Sequence, residues 1–185
     1  QRKRFDQVLE RLAAIAGDLS IGPGLDPTTQ INPLVSARQQ ERVLGMIESG
    51  VAEGASVVCG GARQGETGFY VQPTILADVT PGMQVVREEI FGPVLVATPF
   101  DDLDEAVRLA NDSIYGLGAS IWSNDLRQVM DLVPRIKAGT VWVNAHNLLD
   151  PSMPFGGFKQ SGNGRDKSLH AFDKYTELKA TWIKL

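Results

Sequence analysis

Two adjacent carboxylates, Glu88 and Glu89, are followed, after Ile90, by an aromatic, a glycine and a proline in REEIFGPVLVATPF, residues 87–100. Gly92 permits close backbone approach and Pro93 fixes the entry to the apolar run that follows. A carboxylate at such a strand entry can accept hydrogen bonds from the hydroxyls of a sugar. The plainer alternative is a solvated acidic helix end, since surface acids before a strand are common. Cys59, in SVVCGG, invites a second chemistry, that of a thiolate nucleophile. A reactive thiolate needs an electropositive, partly exposed setting. Valines on one side and glycines on the other, with no His or Glu beside it, favour a packed structural thiol instead. Asn144 ends the apolar run AGTVWVN, where an amide can either donate to an oxyanion or cap a turn; spacing leaves both open. His146, two residues on, is a candidate general base or a loop histidine facing a pocket or water. PFGGFKQSGNGR, residues 154–165, has glycines enough for a phosphate loop but lacks the strand–GxGxxG–helix setting that such a loop needs.

The elements that must position these residues follow from periodicity. Phe5, Val8, Leu9, Leu12 and Ile15 recur at helical spacing and predict an amphipathic helix over 2–17. Three prolines and two glycines make 21–33 a loop. Ser36 with Gln39 has the form of a capping box for a second helix that runs to Gly54. A short strand at 56–61 and a longer one at 68–79 follow, the latter interrupted at Pro73. A short helix at 84–89 leads into a strand at 94–98. Asp102 and Glu105 signal a helix over 103–111. A glycine turn then opens a strand at 115–123, followed by a helix at 125–136 that Pro134 bends. A buried strand at 138–145, a polar loop, a helix at 166–174 and an alternating strand at 175–185 complete the chain. Alternation of strands and helices predicts an open, mostly parallel α/β sheet with active groups at strand ends. The final alternating segment has no hairpin partner beside it and needs an edge to pair with, such as that of another subunit.

Composition narrows the function. The chain has 185 residues, a net charge of −4, 43% hydrophobic and 22% charged residues, which is the profile of a globular domain with a real core. There is no basic excess to hold a phosphate backbone, so nucleic acid is not an expected partner. One cysteine and two histidines, His146 and His170, exclude a disulfide and offer no metal-ligand spacing. The paucity of sulfur fits a reducing, cytoplasmic setting. No apolar run reaches transmembrane length, so no membrane partner is expected. The chain opens on Gln1 rather than Met, which fits a fragment or a processed chain.

EEIFGPV (88–94), NDSIYGLGASIWS (111–123), AGTVWVN (138–144) and PFGGFKQSGNGRD (154–166), in this order and spacing, resemble the aldehyde dehydrogenase superfamily over essentially the whole chain. The tail QSGNGRDKSLHAFDKYTELKATWI is most similar to the bacterial branch that oxidises γ-glutamyl-γ-aminobutyraldehyde in putrescine breakdown. The resemblance implies that Glu89 hydrogen-bonds the ribose hydroxyls at the nicotinamide end of NAD, with NADP not excluded. It places Phe91 and Leu117 near the nicotinamide and Asn144 beside the reacting carbonyl. Phe155 would be part of the aromatic wall of the aldehyde tunnel. His146, Asn147, Leu149 and Met153 would line its mouth. Leu149 sits where relatives often carry an aromatic.

The mechanism implied is attack by a cysteine thiolate, hydride transfer to NAD, and hydrolysis of a thioester by glutamate-activated water. The nucleophile and base of the family have no counterpart in these residues, and Cys59 matches neither. The resemblance therefore implies an inactive C-terminal part of an NAD(P)-dependent enzyme, with no catalytic residue of its own. Residues 1–160 would be catalytic domain lacking the nucleophile segment, and 161–185 a C-terminal helix and oligomerisation strand. Its expected partners are the missing N-terminal cofactor-binding part, the aldehyde, and further copies joined through 175–185. The competing readings are a stand-alone, non-catalytic assembly or binding module and, more remotely, a different enzyme using Cys59.

Overall fold

The computed structural model describes residues 1–185, which divide into two compact units, Gln1–Asp102 and Leu103–Leu185. In the first unit, a helical turn at Arg2–Arg4 leads into α1 (Phe5–Asp18). The turn is tied down by the Arg2 amide, which donates to the Phe100 carbonyl at 2.8 Å, and by an ion pair with Asp101. Helix α1 buries none of its residues fully; Val8 and Ile15, on its apolar face, stay about half exposed.

Helix α2 (Ala37–Ala52) carries the core of this unit. The Ser36 hydroxyl caps it by accepting from the Gln39 amide at 3.2 Å, satisfying one of the orphan donors of the first turn. Val43, Met46 and Ile47 fall on one face at helical spacing. They pack with Val71, Leu76, Met83, Val85 and Ile90. Strands β1 (Ser56–Cys59), β2 (Thr74–Ala77) and β3 (Val94–Val96), with the one-turn helix α3 (Gln84–Arg87) before β3, make a three-stranded sheet in that order. β1 and β2 run antiparallel, with an irregularity between Val57 and Cys59, and β2 and β3 run parallel. The strand expected over 68–79 is confined to Thr74–Ala77, all four residues buried. Pro73 has no N–H for a ladder, so the strand begins just after it. Its first rung is Thr74 N–H to the Pro93 carbonyl, 2.8 Å.

The second unit is built on α4 (Leu103–Asn111), β4 (Gly118–Ile121), α5 (Leu126–Leu132) and β5 (Thr140–Val143). β4 and β5 are parallel, with Ser120 opposite Trp142 and Ile121 opposite Val143. Asp125 caps α5 through the amides of Arg127 and Gln128. The helix gives way to a 3-10 turn at Val133–Arg135 around Pro134. Each unit thus combines helices with one parallel strand pair, β2–β3 in the first and β4–β5 in the second, within the α/β class, and β1 adds an antiparallel edge to the first.

Four glycines interlock the second unit. The Gly116 carbonyl accepts from the amides of Gly139 (3.0 Å) and Phe158 (2.8 Å). A Cβ on Gly139 would lie 1.7 Å from the Gly156 carbonyl oxygen, and one on Gly156 would lie 2.6 Å from that of Gly164. Backbone thus packs directly on backbone, which is why the motifs carrying these residues tolerate no side chain there.

The chain's end departs from the sequence expectation. The helix expected over 166–174 is a 3-10 segment, Leu169–Lys174, and residues 176–185 form neither helix nor strand. Leu178 and Trp182 stand essentially fully exposed. An alternating segment becomes a strand only when an edge supplies its hydrogen bonds, and no strand of this chain pairs with residues 176–185. No helix is long and apolar enough to cross a membrane.

Candidate functional site

The candidate residues are divided between the two units. In the first, α3 ends at Arg87 and the chain runs extended through Glu88 into the turn that opens β3. The two carboxylates are not equivalent. Glu88 accepts from Gln84 Nε2 at 3.0 Å and lies 3.5 Å from Arg42 Nη2. The Glu89 side chain is exposed and makes no hydrogen bond or ion pair within the chain. Ile90 is buried in the core and anchors the turn. Phe91 follows with φ = 60° and its ring three-quarters exposed. A bulky residue in the left-handed region is a genuine outlier, and an exposed aromatic held there is placed for something other than packing. Gly92 lies under Val43, whose Cγ2 would be 2.7 Å from an added Cβ, so the turn sits tight on α2.

A carboxylate with free lone pairs accepts from two vicinal hydroxyls, and a flat apolar ring beside it offers a face to a heterocycle. Sequence reasoning named Glu89 and Phe91 but missed two residues that hold their backbone, Gln39 and Arg42 on α2. The available signal was Gln39 and Arg42 at i, i+3 on one helix face. Gln39 was read as a capping-box partner, whereas its side chain leaves the cap and reaches Phe91.

In the second unit, Asn144 follows β5 at φ = 50°. Its Oδ1 accepts from the Ser123 amide at 2.9 Å, and its Nδ2 donates to the Ser123 carbonyl at 3.0 Å. Of the two roles left open by spacing, oxyanion donor or turn cap, the geometry displays the second: the amide closes the ends of β4 and β5 together. His146 turns back onto the sheet, its Nδ1 2.8 Å from Ser120 Oγ and its ring edge-on to Trp142 at 5.4 Å. Trp142 Nε1 in turn donates to the Leu148 carbonyl at 2.7 Å.

Asp150 shapes the loop beyond. It accepts from the Ser152 hydroxyl at 2.6 Å and the Ser152 amide at 2.8 Å. These bonds, the hydroxyl's first, hold the Asp150 carboxyl below the ordinary carboxylate range. Asn147, Leu149 and Met153 are exposed on this loop, and Leu117 is exposed beside Gly118. Phe155 is half-buried, its backbone paired with Asp166 in both directions at 2.8 and 2.7 Å. In the parallel β4–β5 pair Leu117 stands before the first rung and Asn144 after the last, at opposite ends, and the 146–155 loop runs on from the Asn144 end.

Cys59 is half-buried, with Sγ 3.8 Å from the Pro73 carbonyl. The hollow it borders is lined by small, apolar and amide side chains, Gln64 and Gln72 among them, without an acid or a base. That setting lacks the electropositive neighbours that mark a reactive cysteine.

The sequence signature of the aldehyde dehydrogenase family matches residues 1–181. A mitochondrial aldehyde dehydrogenase of Leishmania tarentolae is 49% identical over 176 residues, 95% of this chain and 35% of that protein. A phenylacetaldehyde dehydrogenase of Pseudomonas fluorescens is 45% identical over 181 residues, 97% of this chain and 36% of that protein. Among solved structures, the NAD+ complex of an aldehyde dehydrogenase from Bacillus cereus superposes with a TM-score of 0.95 at 45% identity, covering 100% of this chain and 38% of that one. The chain thus spans little more than a third of the length of these relatives.

Proposed function

The chain belongs to the aldehyde dehydrogenase family, and from that premise we propose that it is the C-terminal catalytic part of an enzyme that oxidises an aldehyde to a carboxylic acid with NAD(P). The observation that carries this reading is the asymmetry of the carboxylate pair: Glu88 is engaged, whereas Glu89 is exposed and unpartnered beside the exposed ring of Phe91. When bound, the dinucleotide supplies the acceptor for hydride. Glu89 receives the ribose hydroxyls and restrains the swing of the ring, because hydride transfer needs close contact between two carbons. Phe91 lies against that ring. Asn147, Leu149, Met153 and Phe155 line the path of the aldehyde, with His146 and Asn144 shaping it through their contacts to Ser120, Trp142 and Ser123.

The nucleophile and base come from outside these residues, since Cys59 is only partly exposed and borders a hollow lined by neither an acid nor a base. Residues 1–160 serve in catalysis, and 161–185 in association of copies through the exposed tail. The narrower substrate assignment, γ-glutamyl-γ-aminobutyraldehyde, rests on the tail at 160–183. Leu149, an aliphatic at the tunnel mouth, weighs against a strict preference for aromatic aldehydes.

Isolated residues 1–185 are expected to produce no NADH from NAD and any aldehyde, while the complete polypeptide turns over. Spectrophotometric assay of both, with γ-glutamyl-γ-aminobutyraldehyde and phenylacetaldehyde as substrates, checks this. Saturable turnover by the pure 185 residues, or a complete polypeptide that oxidises no aldehyde, would sink the reading.

A further inference from the structure

The turn that presents Glu89 and Phe91 is held almost entirely by side chains of α2. Three successive carbonyls, those of Glu89, Ile90 and Phe91, accept from side chains rather than from backbone amides. Gln39 Nε2 lies 2.9 Å from the Phe91 oxygen and 3.3 Å from that of Ile90. Arg42 Nη1 lies 3.0 Å from the Ile90 oxygen and 3.3 Å from that of Glu89. The other nitrogen of the same guanidinium, Nη2, is 3.5 Å from the Glu88 carboxylate.

We infer that Gln39 and Arg42 are positioning residues, which lock the strained 89–91 turn so that the Glu89 carboxylate stays unpaired and presented outward. A left-handed backbone at Phe91 persists only where its surroundings over-determine it, and these contacts are what over-determine it. The guanidinium also settles which acid is free. Arg42 faces Glu88, so the cation that would otherwise neutralise Glu89 is already occupied. Arginine suits the task because its fixed fork of donors spans two carbonyls and a carboxylate at once, which a lysine ammonium does not reproduce.

This inference rests on the reading of Glu89 as the ribose acceptor, and its test separates the two. In the complete enzyme, Arg42→Lys and Gln39→Met are each expected to raise the KM for NAD about fivefold to tenfold. The KM for aldehyde should stay near its original value. Arg42→Met should do the same more strongly if it folds. Backbone amides of residues 89–92 should exchange with deuterium faster in these variants, while amides of the β4–β5 pair should not. A merely structural role would instead lower the melting temperature and the yield of active enzyme, with KM for NAD and local exchange unchanged, and that result overturns the inference. Glu89→Gln, measured alongside, reports on the ribose reading alone. If it leaves the KM for NAD unchanged, that reading fails, and the exchange measurement still decides the role of Gln39 and Arg42.

Discussion

Glu89→Gln in the complete enzyme is expected to reduce kcat/KM for NAD by roughly tenfold to a hundredfold, expressed in both KM and kcat. The proposed role gives the carboxylate two hydroxyl donors, and a hydrogen bond to a charged acceptor contributes about 1.5–3 kcal/mol, with about 1.4 kcal/mol for each factor of ten. An amide keeps one acceptor oxygen but turns an N–H toward the second hydroxyl. Looser restraint of the nicotinamide then slows hydride transfer as well as weakening binding. Glu88→Gln supplies the contrast. That side chain faces Gln84 and Arg42, so its loss should cost at most about 1 kcal/mol of stability, as for other partly exposed ion pairs. Steady-state kinetics on both variants distinguish the two acids. Equal effects at positions 88 and 89 would contradict the asymmetry on which the site is built.

Gly139→Ala is expected to be the most damaging small substitution in the second unit. Its new methyl would meet the Gly156 carbonyl at 1.7 Å, and backbone cannot move aside as a flexible side chain does. Relief requires displacing the segment that carries Phe155, or breaking the bond from the Gly139 amide to Gly116. Overpacking on this scale costs about 3 kcal/mol or more, which for a chain of this size lowers the melting temperature by roughly 6–12 °C. Gly17→Ala is the control. It lies in α1 with nothing within 4 Å of an added Cβ, so it should be neutral or stabilise by up to about 1 kcal/mol. Thermal melts of the two variants check the prediction, and similar melting temperatures would refute it.

Local structure was the most legible part of the sequence, wherever short-range chemistry decides it. The Ser36 cap, the helix at 103–111, and the bend at Pro134 all follow from residues within a few positions of one another. Pro73 was read correctly as a disruption, yet the strand shrank to the four residues after it because every ladder bond needs an N–H. The site was legible only in outline. Spacing points to Glu88 and Glu89 together and the family resemblance singles out Glu89, but the physical ground for the difference, Arg42 beside Glu88, lies 46 residues earlier. Asn144 was open between two roles because its partner, Ser123, lies across the β4–β5 pair. Likewise, His146 was assigned to a loop or pocket without sight of Ser120 and Trp142, against which it packs. The alternation at 175–185 spells a strand, but a strand also needs an edge to supply its hydrogen bonds, and none in this chain pairs with that segment.

The most direct test of the central claim is a crystal structure of the complete polypeptide with bound NAD. The account predicts both Glu89 carboxylate oxygens within about 2.5–3.0 Å of the nicotinamide-ribose hydroxyls, with Phe91 against the ring and its backbone still held by Gln39 and Arg42. A bound dinucleotide whose ribose is gripped elsewhere, with Glu89 turned to bulk water, would contradict it.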